Sequence, residues 1–237
     1  MHIAELTSKE FSALIKQRPL ALLPIGTLEA HGMHASLATD TLIPVEIGRR
    51  VEQAERTRFL LLPEIPYGHS WDLAVFDGTV DIPAAPFISY VSAVGSGLVK
   101  AGLSRQIWLN GHGGNNGALT LAAEAVAEAG GQVVIVNWWM DFRQEIDAIT
   151  PGAGHAGADE TAAVMAINAA WVHLADTPEH APARTAKVTY KEVSGRAGRF
   201  PGAVNGAPRE ATAEKGEALL TMCARRVREL SVEFFPA

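Results

Sequence analysis

The stretch Gln106-Ile107-Trp108-Leu109-Asn110-Gly111-His112-Gly113-Gly114-Asn115-Asn116 decides the fold class. Residues 106–110 are uncharged and largely apolar, and they read as a buried strand. The glycines read as a sharp turn, and the alanine-rich segment 116–129 as a helix. A strand that is apolar along its length and leads into a helix is the unit of a parallel sheet. Such sheets need long crossovers, and the crossovers cover both faces.

Working outward, the alternation continues in both directions. Residues 7–18 are predicted as a helix, with Thr7 and Glu10 at capping-box spacing. Residues 21–25 form a short strand, and Asp40 is placed to cap a helix running to about residue 54. Strands follow at 59–65 and 132–138, and helices at 87–101, 159–171 and 213–230. Residues 176–208 are richer in Pro, Gly and charge. They are expected to form an irregular excursion with one strand at 187–193. There is no repeat and no clean linker, so residues 1–237 are read as one domain.

Composition narrows the function. Of 237 residues, 48% are hydrophobic and 19% charged, which is the balance of a folded chain. Twenty Lys and Arg against 26 Asp and Glu give a net charge of −6 without a basic patch. Nucleic acid is therefore not an expected partner. Cys223 is the single cysteine, which excludes an intrachain disulfide and fits a reducing, cytoplasmic compartment. The opening Met1-His2-Ile3-Ala4-Glu5 lacks the pattern of a secretory signal. No apolar run approaches the ~18 residues of a membrane span.

The unusual polar residues follow the predicted strands, where open α/β sheets bind ligands. After the first strand come Glu29 and His31, two apart and able to face one side of extended backbone, then Asp40, whose two oxygens could bridge two metals. After the third strand comes His112. The third segment, His155-Ala156-Gly157-Ala158-Asp159-Glu160-Thr161, opens a helix with Glu160 as a candidate ligand and His155 as a candidate proton shuttle. Taken singly, each has a plain structural reading. Asp40 would be a cap, Glu29 and His31 loop residues, and Asp159 and Glu160 partners of a helix dipole. Taken together, Glu, His, Asp, His and Glu form a mixed N/O set suited to two divalent ions such as zinc or manganese.

The motifs Pro24-Ile25-Gly26-Thr27-Leu28-Glu29-Ala30-His31-Gly32 with Asp40-Thr41, Asn110-Gly111-His112-Gly113-Gly114-Asn115, and His155-Ala156-Gly157 with Glu160-Thr161 resemble those of the creatininase (creatinine amidohydrolase) family. Ala211-Thr212-Ala213-Glu214-Lys215-Gly216 resembles its C-terminal helix start. The resemblance implies a three-layer α/β/α fold with a mostly parallel central sheet, a homohexamer and a two-metal site that hydrolyses C–N amide bonds. It implies Glu29 and His112 on one metal, His31 and Glu160 on the other, Asp40 bridging them, and His155 as the catalytic histidine. Zinc is the expected ion, with manganese or iron as alternatives. A metal-bridging hydroxide would attack the carbonyl, and His155 would carry the proton to the leaving nitrogen.

Departures from the family bear on the substrate. Creatininase has a tyrosine and a glutamate, the latter an extra metal ligand, where this chain has Gly113 and Gly114. A small cyclic or linear amide other than creatinine is therefore expected. Many members carry a Glu-His pair where this chain has Asp72-Leu73. Ser70, Asp72, Gly113, Gly114, Trp138 and Trp139 are the candidate substrate contacts, with a core role as the other reading for one tryptophan. Arg196, Arg199 and Asn205 could bind an anionic group or lie solvated. The alternatives are a nucleotide deformylase, a peptidase trimming a modified peptide, a ring-opening hydrolase on a cyclic ketone and a non-catalytic metal-binding protein.

Overall fold

The structure, a computed structural model, describes residues 1–178, 191 and 200–236. The strand expected at 187–193, together with Arg196 and Arg199, falls outside these residues apart from Lys191. Among the described residues, four strands make one parallel sheet: β1 (Leu20–Ile25), β2 (Phe59–Leu61), β3 (Arg105–Asn110) and β4 (Gln132–Asn137), in the order β2-β1-β3-β4. The helices are α1 (Ser8–Leu14), α2 (Thr39–Ala54), α3 (Ala84–Lys100), α4 (Asn116–Glu128), α5 (Trp138–Asp141), α6 (Arg143–Ile149), α7 (Ala158–Asn168) and α8 (Ala213–Phe234).

Side chains alternate across a strand, so each strand feeds two cores. Leu20 and Leu22 of β1 join Phe59, Ile107 and Leu109 in a cluster covered by α2, α7 and α8. Ala21, Leu23 and Ile25 join Leu60 and Trp108 in a second cluster covered by α1, α3 and α4. Three layers result. Among the described residues, no helix is long and apolar enough to cross a membrane.

Several boundaries differ from expectation for local reasons. The first helix has the expected capping box but turns 3₁₀ after Leu14 and stops at Arg18, which is left-handed at φ 53°. The second strand pairs for three residues before Pro63, although Ile65 still bridges to Ile25. Strand β4 ends at Asn137, so Trp138 starts a helix. Asp40 is not a cap. Ala38 holds that position without a side-chain bond, and Asp40 lies inside the first turn, 2% exposed.

The connection from β1 to β2 runs over one face through α2, and that from β2 to β3 over the other through α3. The order in which strands are added thus reverses between β1 and β3, the place where such sheets leave a crevice beyond the strand ends. The start of α2 closes this crevice tightly. A Cβ on Gly111 would lie 1.9 Å from the Asp40 carbonyl oxygen. Pro44, four residues on, has no N–H for that carbonyl. Helices α7 and α8 also meet at a glycine: a Cβ on Gly216 would lie 1.9 Å from the Ala162 carbonyl oxygen. Gly216→Ala is expected to lower stability by ~1–3 kcal/mol through overpacking. Gly97→Ala, in open space on α3, should instead raise it by ~0.5–1 kcal/mol. Urea unfolding of both variants checks the opposite signs.

Candidate metal centre

Three loops at the β1/β3 crevice bring the acidic and imidazole groups together. Glu29 and His31 follow β1 and are fully buried, and Asp40 arrives on α2. His112 follows β3, and Glu160 comes from the first turn of α7. His155 precedes α7, in a turn closed by Gly157 N–H to the Gly154 carbonyl and Gly154 N–H to Asp159 Oδ1.

Asp40 divides its carboxylate between two imidazoles. Oδ1 lies 3.0 Å from His31 Nε2, and Oδ2 lies 2.9 Å from His112 Nδ1. Glu29 Oε1 is 3.1 Å from His112 Nδ1, and Glu160 Oε2 is 3.4 Å from His31 Nε2. Two overlapping ligand sets result: Glu29 with Asp40 and His112, and His31 with Asp40 and Glu160. A third grouping, Glu29 with His31 and His155, takes one residue from each of these sets and adds His155.

Backbone carbonyls orient every ring. His31 Nδ1–H donates to the Glu29 carbonyl (3.1 Å), His112 Nε2–H to that of His69 (3.1 Å) and His155 Nε2–H to that of Ala30 (3.0 Å). A carbonyl only accepts, so the opposite nitrogen of each ring is left to face the cluster, the arrangement that metal-binding histidines require. Glu29 Oε1 and Asp40 Oδ2 are buried without a hydrogen bond of good geometry, and both lie against the one His112 Nδ1 that they share. Unpaired buried carboxylate oxygens are costly, and divalent cations would satisfy both. The donor set therefore fits the ions it was expected to hold.

Charge tells the same story. Burial pushes the Glu29 carboxyl up to about 7, against the pull of His112. Burial also raises Glu160. It opposes ionisation of Asp40, yet His31 and His112 hold that carboxyl well below the usual range. His112 is pushed up to about 10 by Glu29 and Asp40 despite burial, and His31 is likewise raised. His155 goes the other way, drawn down to about 3 by burial and by His31.

The centre floors a cavity of about 710 Å³ that is also lined by Trp71, Trp139, Phe200 and Asn205. Gly113, Gly114, Ser70 and Asp72 line it too. Ser70 Oγ donates to Glu29 Oε2 at 2.5 Å, so its hydroxyl supports a ligand. Asp72 pairs with Lys191 Nζ at 2.7 Å. Trp138 does not line the cavity. It is 2% exposed and packs with Phe142 and Ile146 in the core, because α5 turns the two tryptophans apart. Gly114 has no room for a side chain: a Cβ would lie 2.1 Å from the His69 carbonyl oxygen. Sequence reasoning passed over His69, whose carbonyl orients His112, and Asn115. Asn115 accepts from His69 N–H and donates to the Gly26 carbonyl, tying the loops after β1 and β3 together.

Because His31 and His112 hold protons in the metal-free site, zinc must displace them. Zinc titrated into chelator-stripped protein should release protons. Affinity should fall as pH drops from 8 to 6, about tenfold per unit for each proton displaced. Calorimetry in buffers of different ionisation enthalpy checks this, and a pH-independent affinity would contradict it.

Residues 4–231 match the family model described as creatinine amidohydrolase. The chain is 29% identical to creatinine amidohydrolase of Pseudomonas putida, covering 99% of this chain and 97% of that protein. It is 30% identical to the mycofactocin precursor peptide peptidase of Mycobacterium tuberculosis, covering 95% and 91%. Among solved structures, a zinc–zinc form of a mutant creatininase superposes with a TM-score of 0.86 at 27% identity, covering 100% of this chain and 98% of the other. The chain belongs to the creatininase family.

Proposed function

We propose that this amidohydrolase works with two divalent ions and cleaves the C–N bond of a small amide. The observation that carries the reading is Asp40, which gives one oxygen to each of two ligand sets. Glu29 and His112 would hold one ion, and His31 and Glu160 the other. Such ions supply Lewis acidity toward the carbonyl oxygen and bring the pKa of bound water towards neutrality. Zinc is the ion we favour, and manganese or iron would suit the same donors. Residues 1–237 act as one catalytic domain. A homohexamer and a cytoplasmic location complete the reading, the first resting on the family and the second on the single, free Cys223.

The protein's own part in the chemistry centres on His155. Its Nε2–H is fixed on the Ala30 carbonyl, so the Nδ1 lone pair faces Glu29 Oε1 at 3.6 Å. The ring packs 4.5 Å from His31 and 5.1 Å from Phe200. It is neutral, so Nδ1 has a lone pair to take a proton from attacking water, and the imidazolium that forms, disfavoured by burial, gives the proton up readily. The same nitrogen then returns that proton to the departing amide nitrogen. Trp139 and Phe200 exclude water from one side.

The floor of the cavity favours an amide bulkier than creatinine. Gly113 brings no side chain, and a Cβ there would meet only Trp139, at 3.8 Å. A modified peptide of the kind named for the mycobacterial relative is the second reading this opening favours. Amine release from cyclic amides, hydantoins, formamides and short peptides by zinc- and manganese-loaded protein tests the proposal. No hydrolysis of any C–N bond by fully loaded protein would overturn it. His155→Ala should keep its metal and lose ~10²–10⁴-fold in kcat, the usual contribution of a positioned acid–base. Loss of metal in that variant would make His155 a ligand instead.

A further inference from the structure

His34 is a buried imidazole that no step above uses. It is 1% exposed, and its Nδ1 has no hydrogen-bond partner. Its Nε2 lies 3.2 Å from Thr161 Oγ1, and that hydroxyl reaches the Ala156 carbonyl at 3.5 Å. The unpartnered Nδ1 leaves Nε2 as the protonated nitrogen. The chain of donors then runs from His34 Nε2–H to Thr161 O–H to the Ala156 carbonyl.

Ala156 is the residue this chain grips. It is left-handed at φ 51° and fully buried. A side chain with a Cβ adopts that conformation only at a cost, so its surroundings must impose it. The twist has a use. It aims the Ala156 N–H at Glu160 Oε2, 2.6 Å away, the same oxygen that faces His31 Nε2. His34 also sits on the loop that carries His31. One imidazole therefore braces both protein arms of the His31–Asp40–Glu160 set.

We propose that His34 is a positioning residue for the second metal seat, acting through Thr161 and the Ala156 turn on Glu160. It touches neither ion. The proposal rests on the two-metal reading. Partners behind metal ligands commonly alter affinity ~10–100-fold, and that range is expected here for one seat.

Zinc alone, titrated into chelator-stripped protein by calorimetry, separates the possibilities. His34→Ala and Thr161→Val should each weaken the second zinc equivalent about 10–100-fold and leave the first unchanged. His34→Gln, whose amide nitrogen can occupy the Nε2 position, should restore most of the loss, and His34→Asn should not. If His34→Ala does not fold, Thr161→Val and the Gln/Asn pair carry the same comparison. Equal weakening of both equivalents would show a general structural role and overturn the proposal, as would unchanged binding in the folded variants. A wild-type protein that takes up no second equivalent would instead refute the two-metal reading, and the proposal with it.

Discussion

The structure turns on one buried carboxylate. Asp40 stands between His31 and His112 with an oxygen on each, in the crevice where the strand order reverses. To reach it, the first turn of α2 must press against the ends of β1 and β3. Glycine is required at both contacts, since a Cβ on Gly26 would lie 2.6 Å from the Asp40 carbonyl oxygen and one on Gly111 closer still. The fold and the site thus share a constraint: the close approach that packs the helix also delivers the bridging ligand.

The surrounding charge explains why such a cluster calls for cations. Glu29, Asp40 and Glu160 bring three carboxyls into a site with two raised imidazoles. Leaving one buried charge uncompensated costs ~3–5 kcal/mol. Burial raises the Glu29 and Glu160 carboxyls, and the carboxylates raise His31 and His112. Divalent ions would offset the carboxylate charge and satisfy Glu29 Oε1 and Asp40 Oδ2, which otherwise share one imidazole nitrogen. His155 stands apart because burial and the neighbouring His31 outweigh the pull of Asp40, and neutrality is what its proposed role needs.

Much of this was legible in the sequence, for identifiable reasons. The apolar runs at 20–25 and 105–110 serve two cores at once, so they carry no polar residue on either face to obscure the strand, apart from Gln106 and the terminal Arg105 and Asn110. The ligand candidates were legible because polar residues directly after buried strands have few structural uses. Other features depend on tertiary contacts. Asp40 was read both as a helix cap and as a bridging ligand, and its place inside the first turn of α2, between His31 and His112, rules out the cap. Trp138 and Trp139 are adjacent and alike in sequence, and the turn into α5 buries one while leaving the other at the cavity. Ser70 was read as a substrate contact, yet its hydroxyl is taken by Glu29. His34 carried a signal, lying three residues from His31, but its partner Thr161 is 127 positions away.

The central claim is that Asp40 joins two metal seats. The most direct test is metal content per chain, by mass spectrometry, on protein purified without chelator and on its Glu160→Ala variant. The account predicts close to two equivalents in the wild type and one in the variant, with the remaining ion on Glu29, Asp40 and His112. One equivalent in both proteins would contradict the second seat. Metal that is absent, and that zinc or manganese does not restore, would contradict the centre as a whole.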